Sequence, residues 1–304
     1  MSDARLVSRL RQALDDGGLH GSFLVRDLDT GAEIGIEPDL ELPAASLVKV
    51  PLALAVLERI GTGELDGAQQ ITVPPGRLDI PGPTGLSRFR HPATLALDDL
   101  LYLSVCLSDT VAADVLLDLV PPQAVTAHLH RHGLTGITVR HALHDLSDTP
   151  AERFDADDLH LAHSLAIGAG TAGRGHPVPQ LDISRANAGS ARAFTDLLQA
   201  IWRPVTIAAG AAARTRDLMA NNLMRQRLTP DFASDASRWS SKTGTLLNLR
   251  HEVGVVEHAD GQTFAVSALT QSRVAASVQP AAEALMAAVA RELRDQLRHR
   301  GPGR

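Results

Sequence analysis

Two residues in the stretch Pro43-Ala44-Ala45-Ser46-Leu47-Val48-Lys49-Val50-Pro51 have the types and the spacing to do chemistry together. Ser46 and Lys49 stand three positions apart, so on a helix they share one face, one turn apart. A hydroxyl beside an amine is the pairing that a serine nucleophile with a lysine base requires. Composition sharpens the point. Of the 29 Lys and Arg, only Lys49 and Lys242 are Lys. Arg does not deprotonate in proteins, whereas a desolvated Lys can lose its proton and act as a base. A chain that otherwise carries its positive charge on Arg has kept Lys where Arg cannot serve. Lys242 opens Lys242-Thr243-Gly244, and between the two lysines lies Ser108-Asp109-Thr110. Each has a plainer alternative: Ser46 as a helix N-cap, Ser108 and Asp109 as the cap of the helix that follows, Lys242 as a solvated strand charge.

These residues need elements to hold them. From Ser46 to about Ile60 the chain is apolar on nearly every side, which places a helix in the middle of the molecule, with Gly61 stopping it. Ahead of it, Val7, Leu10 and Leu14 mark a helix that ends at Gly17-Gly18. Residues 21–28 and 32–36 read as a hairpin turning at Asp29-Thr30-Gly31. Residues 71–92 are rich in Pro and Gly and read as loop lining a cleft. Helical patterns follow at 95–107, 110–119 and 123–132, then at 191–202 and 211–225, with 168–180 an irregular loop. Strand-like segments at 237–243, 250–256 and 263–269 and a closing helix at 281–297 complete the chain. Strands at both ends around a helical middle predict an α+β fold. Its parts are a sheet domain from residues 1–42 and 203–304 and a helical domain from 43–202, with Ser46 at the junction.

Composition excludes several functions. Net charge is -6 and aromatic content is 3%, so there is neither a basic stripe nor a stacking platform for nucleic acid. One cysteine, Cys106, excludes an internal disulfide. No segment offers the roughly 18 consecutive apolar residues of a membrane span, and residues 1–16 lack the apolar core of a signal peptide, so a cytoplasmic protein is expected. His128 and His132, at i and i+4, could face one zinc ion, but no Glu follows His128 and the metalloprotease pattern is absent. No metal and no cofactor are expected, and the partner is a small-molecule acyl compound rather than nucleic acid or membrane.

Taken in order, Ser46-Leu47-Val48-Lys49, Ser108-Asp109-Thr110 and Lys242-Thr243-Gly244 resemble the motif trio of the class A β-lactamases and penicillin-binding proteins. The resemblance spans most of the chain and implies the β-lactamase-like fold, an antiparallel sheet with flanking helices and an inserted helical domain. It implies that Ser46 attacks an acyl carbonyl and carries the acyl group. Lys49 takes the serine proton, and Ser108 relays a proton toward the leaving nitrogen. Lys242 and Thr243 dock a substrate carboxylate, the edge of their strand through Gly244 and Thr245 binds substrate backbone-fashion, and the N–H groups of Ser46 and Thr245 form the oxyanion hole. Asp109 is structural. Arg250 either binds a carboxylate beside Lys242 or is an edge-strand charge.

Two departures bear on activity. The second motif of the family ends in Asn, whose amide holds both the lysine and the substrate's side chain; here Thr110 stands, and a hydroxyl reaches less far. The family also carries Arg-x-Glu-x-x-Leu-Asn, whose glutamate activates the deacylating water. This chain reads Val139-Arg140-His141-Ala142-Leu143-His144-Asp145-Leu146, with no glutamate at that spacing. Glu152 is the candidate substitute, with His141, His144 and Asp155 behind it. The expected function is a serine acyl-enzyme hydrolase acting on a β-lactam or related activated acyl compound. Two alternatives stand beside it: an esterase, D-amino-acid peptidase or acyltransferase of the same fold, and a ligand-binding relative without turnover.

Overall fold

In the computed structural model, residues 2–75, 84–146, 149, 156–168, 174–276 and 278–299 are described. The chain opens with α1 (Asp3–Asp16), the hairpin β1 (Leu19–Asp27) and β2 (Glu33–Ile36), and the short β3 (Glu41–Pro43). A 3-10 turn at Ala45–Val48 leads directly into α2 (Lys49–Gly61). Next come β4 (Gln70–Val73), β5 (Ala93–Ala96), α3 (Leu97–Cys106), α4 (Thr110–Leu119), α5 (Pro122–Arg131), β6 (Ile137–Thr138) and α6 (Leu159–Gly168). The chain closes with β7 (Ala188–Ser190), α7 (Ala191–Trp202), α8 (Ala209–Ala220), α9 (Thr229–Phe232), β8 (Ser237–Leu246), β9 (Leu249–His258), β10 (Thr263–Ser272) and α10 (Pro280–Arg298).

Five strands make one antiparallel sheet in the order β2-β1-β10-β9-β8, so the first hairpin and the last three strands meet although residues 37–236 lie between them in the sequence. β1 pairs with β10 in register from Leu19↔Ser272 to Asp27↔Phe264. One face is covered by α1 and α10, whose apolar stripes (Leu6, Leu10 and Leu14; Met286 and Leu293) meet Phe23, Val25 and Phe264. The other face carries α7, with α8 against β8. Behind them α2 is the buried axis of the helical part. Lys49 through Leu57 are all buried, and α3, α4, α5 and α8 surround them. Each buried Leu or Val there contributes about 1.5–3 kcal/mol of apolar burial, which is why a helix with no polar face settles at the centre.

The helix, strand and hairpin expectations hold, with local differences. Ser46 lies in the 3-10 turn, and the α-helix begins only at Lys49. The Pro- and Gly-rich stretch expected as loop contains β4, paired with β5 from Gln70↔Ala96 to Val73↔Ala93, which then runs into α3. The strands at 237–243, 250–256 and 263–269 each extend to ten residues. The helix expected over 211–225 ends at Ala220. No helix among the described residues is long and apolar enough to cross a membrane.

Candidate active site

The edge strand β8 packs against the 3-10 turn that carries Ser46. What lets it approach is Gly244. A Cβ there would sit 3.1 Å from the carbonyl oxygen of Ala44 and 3.1 Å from Leu47 Cγ, tighter than ordinary packing allows. The turn is held from three sides. β3 enters it paired with β7. The Ala44 N–H donates to the Asn187 carbonyl at 2.7 Å, and the buried His251 ring lies 2.9 Å from the Pro43 carbonyl through Nε2. His251 Nδ1 accepts from the Thr270 N–H at 3.1 Å, which leaves the proton on Nε2 to donate to Pro43. Burial lowers the His251 pKa to about 4, so the ring stays neutral and holds that tautomer. Ala45, immediately before Ser46, has φ 47°, a left-handed conformation that costs a non-glycine residue about 1–2 kcal/mol and is held by these contacts.

Lys49, Ser108, Thr110 and Lys242 come together. Lys49 Nζ donates to the Ser108 carbonyl at 2.6 Å and lies 3.4 Å from both Ser108 Oγ and Thr110 Oγ1. Lys242 Nζ donates to Ser108 Oγ at 2.9 Å and to the Thr243 carbonyl at 2.9 Å. One serine hydroxyl is thus the meeting point of both amines, and the left-handed backbone of Ser108 (φ 59°) turns its carbonyl to one lysine and its hydroxyl to the other. Both lysines are fully buried while Ser46 is partly exposed. Lys242 is therefore no solvated strand charge.

Burial sets the electrostatics. Desolvation lowers the Lys49 pKa to about 7, against the attraction of Asp109 and Asp114, which favours the neutral amine. Lys242 is held well below its ordinary value by burial, and further by repulsion from Lys49 and Arg227. Asp109 serves the architecture. Its carboxylate caps α4 through the Ala112 N–H at 3.1 Å and accepts from the Leu86 N–H at 2.6 Å.

On the strand, Thr243 is buried and Thr245 exposed, with Thr245 Oγ1 accepting from Arg227 Nη2 at 2.7 Å. Arg227 also donates through Nη1 to the carbonyls of Gly244 and His251, which are register partners, and through Nε to Glu283. It lies buried beneath the Lys242 motif and braces its strand. Sequence reading missed Arg227, His251 and Asn187. Arg227 is one of many arginines, and the partners of His251 and Asn187 are remote in the sequence, so none carries a local signal. Arg250 corrects its expectation. β9 is an interior strand, and Arg250 is buried, with Nη1 donating to the carbonyls of Leu247 and Leu249, rather than an edge-strand charge.

Among the candidates for water activation, Glu152 and Asp155 lie outside the described residues. His141 is committed to structure: Nδ1 meets the Ala142 carbonyl at 2.7 Å and Nε2 accepts from the Asn187 N–H at 3.2 Å. His144 is exposed and bonds Asp114, which also accepts from the Leu143 and His144 N–H groups. Away from this cleft, Glu58, His128 and His132 are the set among the described residues that could hold a metal ion.

A serine-bearing turn facing a lysine-bearing edge strand across a second serine invites comparison with known proteins. Residues 5–297 match the family described as the beta-lactamase enzyme family. The chain belongs to that family. Within it, the chain is 63% identical to the beta-lactamase regulatory protein BlaB of Streptomyces cacaoi, over 98% of this chain and 99% of that one. Its fold is similar to that of a beta-lactamase from Chitinophaga pinensis, with a TM-score of 0.78, 18% identity, and coverage of 96% of this chain and 99% of the other. It is likewise similar to PBP-A, with a TM-score of 0.75, 18% identity, and coverage of 97% and 96%. These structures establish the β-lactamase-like fold.

Proposed function

We propose that this chain is a serine acylation centre that takes a β-lactam, or a related activated acyl compound, onto Ser46 and releases it slowly, so that the acylated state is its output in a β-lactamase regulatory role. The observation that carries the reading is the fully buried Lys49 amine, bonded to Ser108 and lying within one turn of Ser46, where burial favours its neutral form. In the reaction, neutral Lys49 takes the Ser46 proton as Oγ bonds to the acyl carbon and the C–N bond breaks. The leaving nitrogen receives a proton through the Ser108 hydroxyl, which is recharged from the protonated Lys49. Lys242 and Thr243 hold the substrate's carboxylate, and the N–H groups of Ser46 and Thr245 stabilise the oxyanion, each such donor contributing about 3 kcal/mol.

Slow release is supported by the sequence, which has no glutamate at the family's water-activating spacing. A regulatory output is supported by the extensive identity to a protein named as a β-lactamase regulator. A second reading, binding without acylation, is favoured by one observation: the Lys49 amine is directed at the Ser108 carbonyl rather than at Ser46. Intact-mass analysis after exposure to a penicillin and to a chromogenic cephalosporin separates these. A long-lived adduct, lost in Ser46→Ala, is expected. Rapid turnover with a transient adduct indicates a hydrolase, cleavage of short acyl esters without any adduct an esterase, and saturable binding without an adduct the second reading.

A further inference from the structure

We propose that Glu58, His128 and His132 form a binding site for one divalent transition-metal ion, zinc(II) by its donor set, that clamps α2 to α5 at the end of α2 remote from Lys49. One donor atom from each residue lies within 4.8 Å of the other two. Glu58 Oε2 is 3.2 Å from His132 Nε2 and 3.7 Å from His128 Nδ1. Tetrahedral zinc with bonds of about 2.0–2.1 Å holds neighbouring donors about 3.3–3.4 Å apart, so the Glu58–His132 gap is close to such an edge and the other donors must draw in toward an ion. His128 lies on α5 and His132 caps its C-terminus, i and i+4, and their rings lie with centroids 4.8 Å apart. Two histidines and one carboxylate leave a fourth position for water.

The surroundings are those of a held ligand set. Zinc-binding carboxylates and imidazoles are oriented by hydrogen bonds from their non-ligating atoms. Here Glu58 Oε1 accepts from the Ala208 N–H at 2.8 Å, and His132 Nδ1 lies 2.9 Å from Thr206 Oγ1. Both outer contacts come from the segment before α8, so the set joins three parts of the chain. His128 is only 3% exposed, and it is Nδ1 that faces Glu58 Oε2. The group occupying the His128 Nδ1 direction is Arg131 Nη2 at 3.3 Å, an exposed side chain free to swing into solvent when a cation enters. The expectation of no metal weighed the two histidines without Glu58, which lies on a different helix. Glu58 is nine residues beyond Lys49, about 13 Å along the axis, so the ion would brace the helix that carries the lysine and take no part at the reacting atoms.

The test uses the full chain, stripped with a chelator and titrated with zinc chloride by calorimetry and with cobalt(II) by visible absorption. One equivalent of zinc per chain is expected, with the intense visible bands of four-coordinate cobalt and a raised melting temperature. Glu58→Gln and His132→Gln should each weaken zinc binding at least tenfold and remove those bands. His130→Gln, an exposed neighbour outside the set, should change neither. Circular dichroism of the metal-free variants establishes that they are folded. The proposal is overturned by the weak absorption of six-coordinate cobalt in the wild type, by unchanged zinc affinity in folded Glu58→Gln, or by an equal loss in His130→Gln.

Discussion

Replacing Lys49 with Met should stabilise the protein at low pH and progressively less as the pH rises. The ordinary lysine value of 10.5 falls to about 7 on burial, so the folded state binds the proton more weakly than the unfolded state does. At 1.36 kcal/mol per pH unit, the buried charge costs roughly 5 kcal/mol below pH 7. Between about pH 7 and 10.5 the unfolded chain holds more protons than the folded one, so wild-type stability rises with pH, and above that window both states are neutral. Methionine keeps the length of the side chain, carries no proton and forfeits the contacts to Ser108 and Thr110, a loss that does not depend on this titration. Urea unfolding of both proteins from pH 6 to pH 9 should therefore show the variant's advantage shrinking by about 3 kcal/mol. Lys242 is common to both proteins. It loses the repulsion of Lys49 in the variant, which enlarges the variant's advantage at low pH. A difference that stays flat, or widens toward pH 9, would refute the reasoning that Lys49 is held neutral by burial.

The same titration predicts catalysis: with Lys49 as base, acylation by a penicillin should rise about tenfold from pH 6 to pH 8 with a midpoint near 7, measured as the rate of adduct formation. Lys49→Arg, permanently charged, should lower that rate by about 10²–10⁴ at pH 8, read in the same mass assay. Gly244→Ala should push β8 away from the Ser46 turn at Ala44 and Leu47, costing about 1–3 kcal/mol in urea unfolding and slowing acylation. Asp109→Ala removes both the α4 cap and the Leu86 anchor and should destabilise by about 2 kcal/mol or more, with loss of cooperativity in the unfolding of α4 followed by hydrogen exchange.

The parts of the site legible in the sequence were those whose residue type was itself a signal. Lys49 and Lys242 stood out because the chain spends Lys nowhere else, and Ser46 and Ser108 followed from them. The helix α2 was legible because burial on every side leaves no polar face. The residues that brace the site were not. His251 meets Pro43, 208 positions earlier in the chain, and Arg227 reaches Gly244, His251 and Glu283; pairings of that kind leave no local period or motif. Asn187 ties Ala44 to the backbone of Arg140 and His141 from an equally remote position. Arg250 misled because the order of strands decides which one is the edge, and β8 rather than β9 takes that place. The β4–β5 pair was hidden among prolines and glycines because strands of four residues carry too little alternation to be read.

Peptide mapping by mass spectrometry, after the protein is incubated with a penicillin at pH 8, tests the central claim most directly. The account predicts one acyl adduct, on Ser46, persisting over many minutes and absent from Ser46→Ala and Lys49→Arg. An adduct on another residue, or undiminished acylation in folded Lys49→Arg, would contradict it.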